Sequence, residues 1–404
     1  MEVAVVGAGL IGLTIAHRLT AEGHSVTVIA PREAPHMAST GNAGTVAGYA
    51  VDPVGTPEVL RDLPRLFFDR ASPLALHRPS VLTLAPWLMR FLAQSRPAAA
   101  QRNRLALAAL LEGVEDDWRA LAASVGGTDL IRDRGALYAY DTPQALAAAR
   151  PGLDRRRTLG APVEVLDADA LQDLEPTLPP GRFAGAALFP GTLWFTDPAQ
   201  MLARIGAAGP AARLDARVTA LAPRRPGWSL TLDTGQTLNT EAVVVAAGAW
   251  SARLLRPLGL KIPLDTERGY HLEFDLPEDA HPLTRPLCPT SRGFYFTPMQ
   301  GRLRAAGTVE LGGTDAPPSP HRWARLEEGA RSVFPDLPPP ARRWMGLRPS
   351  IPDSLPVIGT ARPGLILAFG HGHIGLTLAP RTAALVSNAL KGRDTPQATS
   401  PHRF

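Results

Sequence analysis

The chain has 404 residues, of which 45% are hydrophobic and 20% charged, a composition typical of globular proteins and a length sufficient for two domains. Its net charge is +5, and nearly all positive charge is arginine because lysine occurs only at positions 261 and 391. The arginines do not cluster on one element with interleaved aromatic residues, so a nucleic-acid surface is not expected.

The first element is a β-branched run, residues 2–6, which leads directly into a G-x-G-x-x-G motif. The motif opens a helix predicted over residues 10–22, and a second strand is predicted over 25–30. In this strand–turn–helix–strand context the glycines permit a tight turn, a close approach of pyrophosphate and packing of helix on strand, and the helix N-terminus faces the phosphate charge. The predicted dinucleotide site consists of Gly7, Ala8, Gly9, Leu10, Ile11 and Gly12.

This hydrophobic start has no basic segment before it, so no signal peptide is predicted. No run of about 18 apolar residues predicts a membrane span. Residues 74–91 are apolar and flanked by arginine, which fits a helix on a membrane surface or a partly buried element of a second domain; we favour the latter. The single cysteine, Cys288, excludes an internal disulfide and is expected to be buried.

The middle of the chain alternates between helical and strand patterns. We predict one amphipathic helix over residues 100–125, and a later helix that begins with Pro198 and is capped by Thr196 or Asp197. Strands are predicted at 135–140, 216–221, 228–233, 241–247, 270–274, 293–297 and 303–311. A buried strand at 364–370 precedes the last helix, 376–390, and the polar tail from Lys391 is expected to fray.

A second G-x-G-x-x-G sequence spans residues 370–375 and also follows a buried strand. Only 29 residues follow it, too few for another complete nucleotide-binding unit. We interpret it as a helix N-terminus that faces an anionic group. Reduced flavin carries such charge around N1 and O2, so both motifs together predict one FAD, with its pyrophosphate at the first and its isoalloxazine at the second. His371 and His373 have no carboxylate or cysteine at ligand spacing, so no metal site is predicted.

The predicted fold class is α/β, with a discontinuous Rossmann-like FAD-binding domain and an α+β substrate domain whose sheet is mainly antiparallel. The FAD-binding domain is predicted to comprise residues 1–50, 195–262 and 340–395. The substrate-binding domain is predicted to comprise residues 51–194 and 263–339.

From end to end, the chain resembles the FAD-dependent D-amino-acid dehydrogenase/oxidase family, within the glycine and sarcosine oxidase superfamily. The matching stretches occur in the family's order and include residues 39–44, 244–250 and 346–349, besides the two glycine motifs. Asn42-Ala43-Gly44 and Gly346-Leu347-Arg348-Pro349, followed by Pro352-Asp353, look closer to the bacterial dehydrogenase branch than to the oxidase branch.

The resemblance implies further cofactor contacts: a loop around the pyrophosphate and flavin, an adenine contact, a segment at residues 247–248 close to the FAD backbone, and a loop at residues 372–377 that caps the pyrimidine edge of the flavin. One departure is that Ala30 stands where the family carries an acid for the adenosine ribose. Either Glu33, the nearest acid, reaches back, or the ribose is held more weakly. The implied positions are Glu33, Ser39, Thr40, Asn42, Ala43, Gly44, Val218, Ala247, Gly248, Gly372, His373, Ile374, Gly375, Leu376 and Thr377.

For the substrate, the resemblance implies that Arg348 binds a carboxylate, which suits the planar fork of a guanidinium. Tyr270 is expected to contact the carboxylate or a lid, with core packing as the alternative, and Tyr295 is a further candidate. His373 could hydrogen-bond the flavin or the substrate amine. No side chain is required as catalytic acid or base, because hydride transfer to flavin N5 needs chiefly a well-oriented neutral amine.

These expectations give a dehydrogenase that oxidises a D-amino acid and passes electrons to a quinone or carrier protein. Cyclic substrates such as D-proline or hydroxy-D-proline are among the candidates. The expected location is the cytoplasm, with peripheral contact at the inner face of the membrane left open. The alternatives are a glycine- or sarcosine-type oxidase that produces hydrogen peroxide, and a nucleotide-binding regulator without enzymatic activity.

Overall fold

The computed structural model describes residues 1–34, 36–61, 74–209, 211–277, 280 and 282–404. Part of the predicted range 51–194, residues 62–73, therefore lies outside the described residues. The described helices are α1 (Leu10–Ala21), α2 (Val81–Gln94), α3 (Pro97–Leu111), α4 (Val114–Ser124), α5 (Pro143–Thr158), α6 (Ala168–Leu174), α7 (Pro198–Ala207), α8 (Ser251–Leu255), α9 (Pro320–Arg331) and α10 (Ala379–Leu390).

The strands belong to four sheets and are numbered in chain order. They are β1 (Glu2–Val6), β2 (Ser25–Ile29), β3 (Thr45–Val46), β4 (Leu74–Leu76), β5 (Ile131–Asp133), β6 (Ala136–Tyr140), β7 (Glu164–Asp167), β8 (Gly185–Phe189), β9 (Leu193–Phe195), β10 (Ala212–Leu214), β11 (Val218–Pro223), β12 (Trp228–Leu232), β13 (Thr237–Thr240), β14 (Ala242–Val245), β15 (Asp265–Asp275), β16 (Leu287–Pro289), β17 (Phe294–Met299), β18 (Arg302–Leu311), β19 (Arg342–Ser350), β20 (Val357–Arg362) and β21 (Leu365–Phe369).

The first sheet has six strands in the order β10-β2-β1-β14-β21-β20, and all but the last are parallel. Parallel strands need long crossovers, which explains why strands so distant in sequence lie side by side. Because β1, β14 and β21 are neighbours, the loops that follow them all open at one edge of the sheet.

Both faces of this sheet are covered. On one face, α1, α4 and α10 pack on alternate strand residues such as Val5 and Val244. On the other face, Val6 and Val243 pack against the three-stranded sheet β11-β12-β13. Burial on both faces accounts for the continuous apolar runs of β1, β14 and β21.

The second large sheet has nine strands and is mainly antiparallel. Its main path is β19-β15-β18-β17-β16-β6-β8-β7, and β4 pairs with β18. Its back face packs against α9 through Phe294, Phe296 and Leu326. One predicted boundary differs: β19, which the range 340–395 placed with the nucleotide-binding segments, pairs along its whole length with β15 of the nine-stranded sheet.

Two local predictions were wrong. The helix predicted over 100–125 is broken into α3 and α4, because Gly113 adopts φ +70° between them. The tail predicted to fray after Lys391 is instead packed in short turns. Thr399 is fully buried, and Arg403 forms an ion pair with Asp353 at 2.9 Å.

Two other predictions, on Asp197 and on Cys288, were confirmed. Asp197, rather than Thr196, caps α7 by accepting a hydrogen bond from the Gln200 N–H at 3.0 Å. Cys288 is buried, which raises the pKa of its thiol to about 12. Within the described residues, no helix combines the length and apolar character required to cross a membrane.

Candidate active site

The first glycine motif connects β1 to α1 with no room for larger side chains. Gly7 has φ +117°, and a Cβ there would lie 2.4 Å from the carbonyl oxygen of Ala246. A Cβ on Gly12 would lie 1.9 Å from the carbonyl oxygen of Gly7. The turn is therefore as tight as predicted, and it leads into the N-terminus of α1, where a helix can bind phosphate.

The loop of residues 39–44 lies against this helix terminus. Ser39 Oγ accepts a hydrogen bond from the Leu10 N–H at 2.9 Å. Asn42 folds the loop on itself, because its side-chain carbonyl accepts from the Gly44 N–H and its amide donates to the Ser39 carbonyl, both at 2.8 Å. Thr40 donates to the carbonyl of Met37. The loop is thus shaped by its own side chains before any ligand binds.

One buried polar atom beside this loop has no partner. The Thr45 hydroxyl is sealed from solvent and makes no hydrogen bond to any described residue. Buried hydroxyls are normally hydrogen-bonded, so this atom is free for a polar ligand. Together with the glycine turn and the N-terminus of α1, it fits a phosphate-bearing cofactor with a polar head.

The loops after β14 and β21 open at the same edge. Ala247 and Gly248 follow β14, with Gly248 at φ +56°, and Gly372 begins the turn after β21 at φ +53°. Thr377 Oγ1 accepts from the Ala47 N–H at 2.9 Å, and the Leu376 carbonyl accepts from Trp118 Nε1 at 2.9 Å. The predicted cofactor positions 39–44, 247–248 and 372–377 are therefore brought together; their contacts with FAD stay predictions.

The predicted adenosine end is the least regular part of the site. Ala30 is buried, and the Glu33 side chain is exposed to solvent. The carboxylate of Asp215, at the end of β10, accepts from the Arg32 N–H at 2.6 Å, a contact that the sequence did not indicate. Val218 is buried at the start of β11. Roles for Glu33 and Val218 in binding the cofactor stay predictions.

The front face of the nine-stranded sheet, defined here by Glu267, His271, Thr297, Arg304 and Arg348, holds this loop from the other side. Arg304 Nη1 donates to the Asn42 carbonyl at 2.6 Å, and Thr297 Oγ1 donates to the Ala43 carbonyl at 2.7 Å. Burial and then Arg304 lower the pKa of His271 to about 4. The neutral imidazole therefore donates Nδ1–H to the Gly41 carbonyl at 3.0 Å.

Arg348 lies on β19, beside its pairing partner Glu267 on β15. Its guanidinium covers Gly269, so closely that a Cβ there would lie 2.4 Å from Cζ. Nη1 donates to the Thr308 carbonyl at 3.0 Å. Burial lowers the pKa of Arg348 and the nearby Glu267 carboxylate raises it, with burial the larger effect. A guanidinium stays charged under such shifts, so the front face presents a partly buried cation.

A β-bulge helps to place this guanidinium. The pairing between β15 and β18 shifts register between Arg268 and Tyr270, and Thr308, opposite this shift, has φ +57°. A β-branched residue with positive φ is strained, and strain of this kind is concentrated at functional sites. Here it turns the Thr308 carbonyl toward Arg348.

Glu267 also contacts His373 of the turn after β21. The carboxylate forms a short hydrogen-bonded pair with His373 Nε2 and is buried. Burial alone raises the pKa of Glu267, but His373 and Arg348 more than offset it, so the net pKa is lowered and the carboxylate is ionised. The pair joins the cofactor edge of the first sheet to the front face of the second.

The structure separates the two tyrosine candidates. Tyr270 lies on the back face, where its hydroxyl donates to Glu310 and its ring packs edge-on against Trp323. It is therefore on the opposite side of the sheet from Arg348, away from the carboxylate that it was expected to contact. The alternative of core packing holds, because the alternation of β15 turns His271 rather than Tyr270 toward the front. Tyr295 does lie on the front face, 2.6 Å from the hydroxyl of Tyr138.

Sequence reasoning missed Glu267, Trp344 and Thr308. The Trp344 ring stacks on His271 with centroids 5.0 Å apart and covers Gly41 and Gly346. No signal marked Glu267, which stands in the polar stretch of residues 265–268, ahead of the strand predicted at 270–274. Thr308 gave none, because a bulge depends on pairing between distant strands.

Known proteins are similar to this chain along nearly its whole length. A family model described as FAD dependent oxidoreductase matches residues 2–389. A D-amino-acid oxidase of Bradyrhizobium diazoefficiens is 34% identical over 100% of this chain and 99% of its own length. A D-amino acid dehydrogenase of Cereibacter sphaeroides is 31% identical over 97% of this chain and 92% of its own. The crystal structure of glycine oxidase from Geobacillus kaustophilus is 25% identical, covers 100% of this chain and 98% of that one, and has a TM-score of 0.76. The predicted fold class is confirmed.

Proposed function

The chain belongs to the FAD dependent oxidoreductase family, and from this we propose that it oxidises a D-amino acid to the corresponding imino acid. The imino acid would then hydrolyse in water to a 2-oxo acid and ammonia. The names of both relatives support a D-amino acid, and the partly buried cation Arg348 carries the assignment within this chain.

The residues of this chain fit FAD at the shared sheet edge. The turn of residues 7–12 and the N-terminus of α1 would hold the pyrophosphate, and residues 39–44 and 372–377 would border the flavin. When bound, FAD supplies the two-electron acceptor that takes the substrate α-hydrogen as hydride at N5.

Arg348 is proposed to bind the substrate carboxylate. Its Nη1 is engaged by Thr308, and its remaining N–H groups make no hydrogen bond to described residues. A guanidinium binds a carboxylate through two parallel charge-assisted hydrogen bonds, which sets the orientation of the α-carbon as well as affinity. The proposed task of this strand is therefore orientation, which hydride transfer requires above all.

Gly269→Ala tests the placement of this guanidinium. The new methyl group would displace Arg348, so we expect the substrate KM to rise about tenfold, the loss of roughly one charge-assisted hydrogen bond. The melting temperature should change little, because the atoms that must move are the end of a flexible side chain. Gly152→Ala is the matched control, since its Cβ would meet arginine nitrogens at 3.7 Å, an ordinary contact. An unchanged KM in Gly269→Ala would contradict this placement.

A substrate screen tests the function itself. Purified protein carrying flavin is mixed anaerobically with single D- and L-amino acids, including D-proline and hydroxy-D-proline, and bleaching of the flavin band at ~450 nm is recorded. We expect D-amino acids to bleach it, and cyclic ones are within the proposal. If sarcosine or glycine alone bleaches the flavin, the proposed substrate class is wrong.

The electron acceptor separates dehydrogenase from oxidase. We propose a dehydrogenase that uses a quinone or carrier protein, in keeping with the name of the Cereibacter relative. The name of the Bradyrhizobium relative favours the alternative, an oxidase. Turnover that reduces an artificial quinone without forming hydrogen peroxide supports the first, and stoichiometric peroxide supports the second.

The proposed location is the cytoplasm, with peripheral membrane contact through α2. Leu82 and Met89, seven residues apart on one side of this helix, are 87% and 69% exposed. Large apolar side chains in such a position suit insertion at a lipid interface. We expect the protein to sediment with lipid vesicles and the double variant Leu82→Ser, Met89→Ser to remain in the supernatant. Equal sedimentation of both proteins would exclude α2 as the contact.

A further inference from the structure

The pair formed by Glu267 and His373 is not explained by carboxylate binding. His373 side chain is 36% exposed although its partner carboxylate is 5% exposed, so one side of the imidazole is fixed and the other is open. Nε2 faces Glu267. In the neutral ring Nε2–H therefore donates to the carboxylate, and Nδ1 carries a free lone pair.

The charges around this pair complement an α-amino acid. Arg348 supplies a cation for the substrate carboxylate, and Glu267 supplies an anion on the neighbouring strand. The carboxylate and the ammonium of an α-amino acid are both bonded to the α-carbon. A substrate held by Arg348 therefore brings its ammonium close to the side on which His373 and Glu267 lie.

We propose that His373, oriented by Glu267, accepts the proton of the substrate ammonium before oxidation; this rests on the proposed function. An N–H bond of the ammonium breaks, its electron pair stays on the amine nitrogen, and the proton binds Nδ1 of His373. No oxidation occurs in this step. The positive charge moves to an imidazolium that Glu267 stabilises, and the neutral amine gains the lone pair that the developing iminium requires.

The neighbouring histidines cannot take this role. His371, two residues away, is buried, and burial lowers its pKa to about 3. Its Nε2 is also occupied by the hydroxyl of Thr382 at 2.9 Å. His271 already bonds Gly41, and burial lowers its pKa to about 4. The charged groups that act on the Glu267 carboxylate are His373 and Arg348.

Two variants give opposite shifts in the pH profile. In His373→Asn, anaerobic flavin reduction at neutral pH should slow about 100-fold, the usual contribution of a general base. Its dependence on pH should move to higher pH, because the amine must lose its proton to water. In Glu267→Gln, the imidazolium loses its stabilising charge, so the rate should fall about tenfold and its rising limb should move to lower pH. Dissolved imidazole should restore part of the rate in His373→Asn.

Binding of a carboxylate without an amine provides a readout independent of turnover. An aliphatic monocarboxylate should perturb the flavin spectrum with a Kd within about twofold of wild type in both variants, since Arg348 is intact. The matched control is His402→Asn, because His402 is an exposed histidine near the C-terminus. This variant should behave as wild type. If His373→Asn loses FAD, Glu267→Gln and its pH shift decide the question.

A wild-type rate and pH profile in a flavin-containing His373→Asn protein would overturn this inference alone. A large rise in the carboxylate Kd of either variant would also overturn it, because the pair would then position Arg348. If no amino acid reduces the flavin of the wild-type protein, the proposed function and this inference both fall.

Discussion

Arg348→Lys is expected to raise the substrate KM at least tenfold and to lower kcat/KM about 100-fold, with FAD still bound. Lysine keeps the charge but cannot form two parallel hydrogen bonds to a carboxylate. A hydrogen bond to a charged group contributes about 1.5–3 kcal/mol, which corresponds to a factor of roughly 10 to 150. A tilted substrate also loses the alignment of its α-hydrogen, so kcat should fall together with affinity.

The measurement is steady-state kinetics combined with the flavin absorbance of the same preparation. Arg343→Lys is the matched control, because Arg343 lies on the same strand with its side chain exposed. Its kinetics should equal those of wild type. Wild-type kinetics in Arg348→Lys would show that the carboxylate binds elsewhere.

Gly12→Val is expected to give a protein without flavin. The Cβ would lie 1.9 Å from the carbonyl oxygen of Gly7, a backbone atom that no change of rotamer can move. Helix α1 must then separate from β1, which displaces the N–H groups proposed to bind pyrophosphate. Forced overlap in a packed core costs about 1–3 kcal/mol or more, so the melting temperature should also fall.

Gly206→Ala provides the comparison for this variant. Gly206 lies in α7 and packs on the same helix α1, but its Cβ would meet the Leu13 side chain at 3.4 Å, an ordinary contact. Alanine also favours the helical backbone by about 1 kcal/mol. This variant should keep its absorbance at ~450 nm. If Gly12→Val kept full flavin occupancy, the assigned phosphate turn would be wrong.

The nucleotide-binding sheet could be predicted because its signals are local. Strands β1, β14 and β21 are short apolar runs followed by glycine, and burial on both faces demands that composition. The cap at Asp197 was likewise readable, because a cap and its Pro198 are adjacent in sequence.

The front face could not be predicted because it depends on strand pairing. Tyr270 and His271 are adjacent, so their side chains lie on opposite faces of the sheet. Only the pairing of β15 with β18 and β19 decides which of the two lies on the front face. The contact of Glu267 with His373 joins residues 106 positions apart. The Arg403–Asp353 ion pair that anchors the tail joins residues 50 positions apart, so a polar tail looked free to fray.

The loop that borders the flavin site is also hydrogen-bonded to the strand of Arg348. The Leu347 N–H donates to the His36 carbonyl at 3.0 Å, and Met37 forms a bridge with Leu347. A ligand that orders residues 36–44 therefore also orders the residue beside Arg348. Such coupling is reciprocal: FAD should tighten the binding of a carboxylate by the same factor by which that carboxylate tightens the binding of FAD. Each bound ligand thus stabilises the binding of the other, and the substrate itself helps to retain FAD in the protein.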